Sequence, residues 1–195
     1  MTKDSPVAEP AAFGLLGLAI ITLLVGIYQI GLMENWVLVL PWALVLGGAT
    51  QLMAGFMDFK RKNIFGATAF SAYGVFWIAI AITWTIELLA ANATFVEGLV
   101  FDSTTIGWVA LGWLIFTVYM TYGSLFITKV LAIIFILIDL VFITLFAHVF
   151  AGVPLVAPGI AHLLLSVAAF YGSAAVVLNN QLGRTVLPVG KPFLE

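Results

Sequence analysis

The sequence predicts an all-α, polytopic membrane protein with six transmembrane helices and both termini on the cytoplasmic side. Three observations predict it. Six apolar runs, each near the roughly 20 residues needed to cross a bilayer, take up most of the 195-residue chain. Hydrophobic residues make up 64% and charged residues only 8%, far below the roughly one quarter charged that water-facing domains carry. All seven Lys and Arg fall outside the runs and in alternate connections: Lys3, then Lys60 to Lys62, then Lys129, then Arg184 and Lys191. Positive charge in short loops is retained in the cytoplasm, which orients the chain.

The elements follow in order. Residues 1–12, with Pro6 and Pro10 beside Asp4 and Glu9, read as a cytoplasmic arm. The first span covers about 13–33; five further spans follow it, so it is a retained helix rather than a signal peptide. Glu34 and Asn35 form a short outer turn. The second span runs from about 36 to 57, with Pro41 near its outer end, where a missing backbone donor costs least. In the inner loop 58–63, Lys60, Arg61 and Lys62 read as a topological anchor. A third span, about 64–86, leads to the longest outer loop, 87–105, which holds Glu87, Glu97 and Asp102. Its Asn92-Ala93-Thr94 is formally a glycosylation acceptor, a tripeptide common by chance. The fourth and fifth spans, about 106–127 and 130–150, meet at a tight inner turn of Thr128 and Lys129. Pro154 and Pro158 bracket the last outer loop before the sixth span at about 159–178. The domain organisation is an arm at 1–12, a six-helix domain at 13–178 and a cytoplasmic tail at 179–195. Trp36, Trp108 and Trp113 fall towards outer helix ends, where indoles favour the interface.

Composition excludes several functions. A net charge of −2 without a basic face argues against nucleic acid as a partner. With no cysteine there is no disulfide, Cys-ligated zinc or palmitoylation. No nucleophile–base or metal constellation is visible, so neither an enzyme nor a cofactor is expected. No Lys or Arg lies within a span, so an anion meets no buried cation on its way through.

Polar groups that remain inside a bilayer are expensive and point to function. On the first helix Leu18, Thr22, Gly26 and Gln29 form a mildly polar stripe at helical spacing. On the second, Gly47, Gly48, Ala54 and Gly55 surround the single amide of Gln51. Such glycines also serve close helix packing, with Thr and Gln bonding across the contact, whereas a mid-membrane amide needs several partners or water. The third helix carries Thr68, Ser71 and Tyr73 in its inner half. Asp139 is the one formal charge well inside a span, ~15 Å deep at about 1.5 Å per residue. An ionised carboxylate is costly there, so it is either protonated and hydrogen-bonded or facing water, a candidate proton site. His148 is on the opposite face from Asp139, and His162 reads as interfacial.

Particular strings then resemble a known family. Glu9-Pro10-Ala11-Ala12-Phe13-Gly14-Leu15 resembles the Asn-Pro-Ala-Pro-Leu-Gly-Leu signature of the acetate uptake transporter family, whose bacterial type is the succinate-acetate permease. The strings at 65–77 (FGATAFSAYGVFW), 47–55 (GGATQLMAG) and 177–188 (VLNNQLGRTVLP) match it as well, so the likeness covers nearly the whole chain. The resemblance implies a homohexamer in which each protomer conducts acetate, and sometimes succinate, by proton coupling or in a channel-like manner. It also implies a hydrophobic constriction of Phe, Tyr and Leu, whose positions here hold Leu18, Tyr73 and Ile138. Of the signature, Pro10 and Gly14 are kept, while Glu9 replaces its Asn and Ala12 its second Pro.

The reading is an inner-membrane transporter or channel for small monocarboxylates, acetate first and succinate as a further candidate, through a ring of Leu18, Tyr73 and Ile138. Thr22, Gln51, Thr68 and Ser71 are expected to supply hydrogen bonds along it, and membrane lipid is the surrounding partner. A dry, apolar route favours acetic acid, or acetate moving with a proton. The alternative is a non-transporting sensor or scaffold, for which tails of about 12 and 17 residues are short.

Overall fold

The computed structural model describes residues 7–92 and 102–195. Six long helices account for most of them: α1 Ala11–Gln29, α2 Val39–Lys60, α3 Ile64–Asn92, α4 Thr105–Ser124, α5 Lys129–Ala151 and α6 Val156–Leu182. No strand occurs among the described residues. Each helix is long and apolar enough to cross a bilayer. Lys3, the middle of the outer loop with Glu97, and Ala93 and Thr94 of the glycosylation tripeptide lie outside the described residues.

The helix ends differ from expectation for local reasons. α1 stops at Gln29 rather than about residue 33, because Gly31 turns the chain at φ +83°, a region that favours glycine. The second helix starts three residues late, at Val39, after an Asn35 turn in which Oδ1 accepts from the Val37 amide at 2.8 Å. α3 continues through Glu87, which was expected in the loop. Two bonds from Thr104 to Asp102, backbone N–H at 2.9 Å and hydroxyl at 2.8 Å, precede α4 and hold the exposed Asp102 carboxyl below its usual range. Thr128 caps α5, its hydroxyl oxygen accepting from the Leu131 amide. α6 takes in Pro158 within its first turn and runs on to Leu182.

Within α2, residues Ala43–Thr50 are π-helical. Pro41 removes a backbone donor just before this stretch. The Leu46 carbonyl accepts from the Thr50 hydroxyl, and the Gly47 carbonyl from the Gln51 amide nitrogen at 2.9 Å.

α1 packs chiefly on α6, α2 on α3, α4 on α5, and α5 on α6, while α1 also leans on α2. Outward faces are apolar, as lipid requires: Val45, Val75, Ile82, Ile115, Val118 and Val167 are all exposed. Small residues set the approach of α2 to α3. A Cβ on Gly74 would stand 2.6 Å from the Leu52 nitrogen and 2.9 Å from the Gly48 oxygen, both unyielding backbone. Gly74→Ala therefore destabilises the protein by about 2 kcal/mol, read as a lower unfolding temperature in detergent.

One end of the bundle gathers the described part of the amino-terminal arm and the carboxy-terminal tail. Arg61 holds Val7 and Glu9 of the amino-terminal arm, and the Val130 amide donates to the Val189 carbonyl of the tail. The tail is also fastened by Tyr171, whose hydroxyl donates to the Pro188 carbonyl, and by Asn179, which bonds Val186 and Leu187. The described basic residues all lie at this end: Lys60 closes α2, Lys129 opens α5, and the others fall in the turn after α2 and in the tail.

Candidate functional site

At that same end a cavity of about 730 Å³ opens between α1, α2, α3, α5 and α6. Its mouth is polar, lined by Glu9, Asp58, Arg61, Lys62, Asn63 and Asn179. Deeper, the walls become Leu15, Phe70, Ile134 and Phe135, all buried and apolar. Leu18, Gln51, Tyr73 and Ile138 lie deepest along their helices; Tyr73 and Ile138 are each nine residues in, ~14 Å at about 1.5 Å per residue. The cavity is a funnel with a charged mouth and an apolar floor.

Helical rotation explains the floor. Leu18 is one turn beyond Leu15, Tyr73 one turn beyond Phe70, and Ile138 one turn beyond Ile134, so each helix presents one continuous stripe. Tyr73 is 5% exposed and wedged among Trp113, Phe116 and Phe135, with ring centroids 5.5 to 6.2 Å away. Its hydroxyl sits 2.9 Å from Thr117 Oγ1. Thr117 already donates its only hydroxyl proton to the Trp113 carbonyl at 2.8 Å, so Tyr73 is the donor in that contact. These contacts hold the ring in place where it lines the cavity.

Gln51 is the polar element of the floor and is 1% exposed. Its nitrogen donates one of its two hydrogens to the Gly47 carbonyl, which aims the amide, while its Oε1 has no hydrogen-bond partner among the described residues. A ligand that donates a proton would satisfy it.

The other expected polar residues are elsewhere. Thr22 does not line the cavity: its hydroxyl returns to the Leu18 and Ala19 carbonyls at 2.7 and 3.2 Å. Ser71 abuts Gly55 where α3 meets α2, and Thr68 is off the lining too. Of the stripe on α1, Gly26 packs against α6, and Gln29 accepts through Oε1 from His162 Nδ1 at 2.8 Å. His162 is thus buried between α1 and α6 at 4% exposure. Asp139 is off the lining, although Ile138 beside it lines the floor; the Thr121 hydroxyl on α4 donates to its Oδ2 at 2.7 Å. Of the signature residues, Glu9 lines the mouth, Pro10 caps α1, and Gly14 meets the Phe70 ring closely.

Three residues had no part in the sequence reading of the pathway. Thr117 sets the Tyr73 hydroxyl, and no motif marks it. Trp113 was expected at the interface and instead belongs to the aromatic wall, 5.0 Å from Phe76. Arg61 was expected to be an anchor, yet it donates to Glu9 Oε2 and to the Val7 carbonyl, both at 2.7 Å. Among the described residues no group of acidic, His or Cys side chains is placed to hold a metal.

Known proteins share this architecture. The chain is 32% identical to the succinate-acetate/proton symporter SatP of Escherichia coli K12, over 96% of this chain and 98% of that one. It is also 32% identical to acetate permease A of Emericella nidulans, over 93% of this chain and 65% of that longer protein. A solved structure of the bacterial acetate channel SatP superposes with a TM-score of 0.85 at 30% identity, covering 94% of this chain and 99% of that chain. The family model described as GPR1/FUN34/yaaH matches residues 1–191, taking in the arm, the six helices, the funnel and most of the tail. This multi-pass membrane protein therefore belongs to the GPR1/FUN34/yaaH family.

Proposed function

We propose that the chain conducts small monocarboxylates across the inner membrane, acetate first and succinate as a further substrate. The observation that carries this is the funnel, whose charged mouth gives way to a floor of Leu18, Tyr73, Ile138 and the half-satisfied amide of Gln51. The names of the relatives, a succinate-acetate/proton symporter, an acetate permease and an acetate channel, support the same substrate class.

Leu18, Tyr73 and Ile138 act as the constriction. An apolar ring excludes hydrated ions and admits a small solute that sheds its water. Gln51 Oε1 then favours the protonated acid, because a carboxylic acid brings a hydrogen to that acceptor and a carboxylate brings none. Proton linkage follows from selecting the acid. Thr22, Thr68 and Ser71, which are off the lining, serve helix packing in this reading. The positive-inside distribution supports a cytoplasmic mouth and cytoplasmic termini, and in this reading each protomer of a homohexamer carries its own pathway.

Uptake of labelled acetate into proteoliposomes, with and without an imposed pH gradient, tests the reading. Uptake above empty vesicles that rises with an inward proton gradient is the expected result. Uptake no greater than that of empty vesicles sinks transport, and leaves the sensor or scaffold role standing; uptake indifferent to the gradient sinks the proton link. Asp139→Asn keeps an acceptor for Thr121 and is expected to preserve the pH dependence, since the side chain lies off the funnel. A flattened pH profile in that variant would make Asp139 the proton site.

A further inference from the structure

We infer that Glu9 is a specificity-determining residue. As an internal carboxylate neutralising Arg61 at the mouth, it lowers the affinity for anionic substrates and weights the pathway towards singly over doubly charged carboxylates. The inference rests on carboxylate transport as proposed above.

No cation lies inside any span, so the first fixed positive charges a carboxylate meets in the funnel are those of the mouth. Arg61 and Lys62 both line it. A guanidinium presents a planar fork that suits a carboxylate, and a free one at this place would receive the substrate directly. In this chain the fork is already engaged. Nη2 is 2.7 Å from Glu9 Oε2, and Nη1 donates to the Val7 carbonyl at 2.7 Å. The two side chains are 16% and 21% exposed, which shields the pair from water on most sides.

Asp58 completes the arrangement. Its side chain is fully buried, with Arg61 Nε 3.6 Å from its Oδ1 and the Asn63 side chain beside it. Glu9 and Asp58 line the mouth together with Arg61 and Lys62, two acidic against two basic residues, so its formal count of charge is neutral.

Removing the Glu9 charge leaves the mouth one unit positive. Arg61 keeps its place through the Val7 carbonyl, so the cation remains where substrate passes. The energy of an ion in that potential scales with its own charge. The gain for a dianion is therefore the square of the gain for a monoanion, expressed as a fold-change.

The test measures labelled acetate and succinate uptake near neutral pH and low salt, with unmodified protein, Glu9→Gln, Glu9→Asp and Arg61→Gln in proteoliposomes. Where succinate only competes, its inhibition constant replaces its KM. Glu9→Gln is expected to lower the KM for acetate roughly threefold and for succinate roughly tenfold. Arg61→Gln shifts the succinate-to-acetate ratio the opposite way, Glu9→Asp leaves it unchanged, and salt at about 0.5 M collapses the shifts. Because the readout is a ratio, loss of folded protein does not imitate it. A ratio that stays constant, moves the same way in Glu9→Gln and Arg61→Gln, or cannot be formed because succinate neither enters nor competes overturns the inference. Acetate uptake by the unmodified protein in those same vesicles shows whether only this inference has failed; without it, the transport reading fails as well.

Discussion

Ile138→Trp abolishes acetate uptake, lowering it at least about 100-fold, a barrier increase of about 2.7 kcal/mol. Ile138 is 4% exposed and shares the funnel floor with Leu18 and Tyr73. Away from the cavity the packing is dense, with Phe142 buried in the same cluster. An indole finds no room on that side, where overpacking costs about 1 to 3 kcal/mol. The open direction is towards the cavity of about 730 Å³, so the ring relieves its strain by standing in the pathway. Stability then changes little while flux stops, and this split is the signature to look for. Thermal unfolding in detergent checks the first half and proteoliposome uptake the second. Ile138→Val does the reverse, widening the floor by one methyl at a stability cost of about 1 kcal/mol. Flux persists there, with longer carboxylates gaining on acetate. Equal loss of uptake in both variants would mean that Ile138 is not at the narrow point.

The six helices were legible because lipid imposes one demand that hydropathy reads directly, a run of apolar residues as long as the bilayer is thick. Rotation of each helix about its axis was much less legible. In water the polar face of a helix marks its outside, but in lipid both faces are apolar, and the pattern no longer says which one looks inward. Thr22, Thr68 and Ser71 show the consequence: as polar residues in spans they were expected along the pathway, yet Thr22 bonds its own helix and Ser71 packs at α2. Asp139 shows it again, one residue from Ile138 and turned to Thr121 instead. Leu18 and Tyr73 stood out on their own helices, in the stripe of the first span and the polar inner half of the third, but their part in a constriction, and Ile138 altogether, came from resemblance to a family. Gln51 was the exception, since a mid-membrane amide is conspicuous wherever it points.

Other features depended on tertiary contact alone. The π-helical stretch Ala43–Thr50, where Gly47 lies close against the Trp77 side chain, leaves no trace in hydropathy. The Arg61–Glu9 pair joins residues 52 positions apart, and the basic cluster around Arg61 had a sufficient reading as an anchor. The polar tail gave no sign that it would be bonded across the loop end at Asn179 and Tyr171. In each case the information lies in which helices become neighbours, which one sequence does not contain.

Gln51→Leu lowers acetate uptake roughly 10-fold to 100-fold while stability changes by no more than about 1 kcal/mol. Gln51 carries a buried acceptor, Oε1, that nothing among the described residues satisfies. Such a group costs about 1 to 3 kcal/mol in the folded state, and leucine of similar size removes that cost. Against this, the Gly47 carbonyl loses the amide nitrogen that bonds it at 2.9 Å, a loss of about 1 kcal/mol. The two terms nearly cancel in the resting protein. They do not cancel with substrate at the floor, where a protonated acid donates to Oε1 in the native chain and meets only methyl groups in the variant. A buried hydroxyl stripped of its acceptor costs about 1 to 3 kcal/mol, which is the stated loss of uptake. Gln51→Glu separates the acceptor from its charge: when ionised, it retains the acceptor and places a negative charge on the floor, repelling carboxylate, so uptake falls further as pH rises. If Gln51→Leu instead transports normally, the amide belongs to the packing of the π-helical segment, and selection for the acid must reside in the apolar ring.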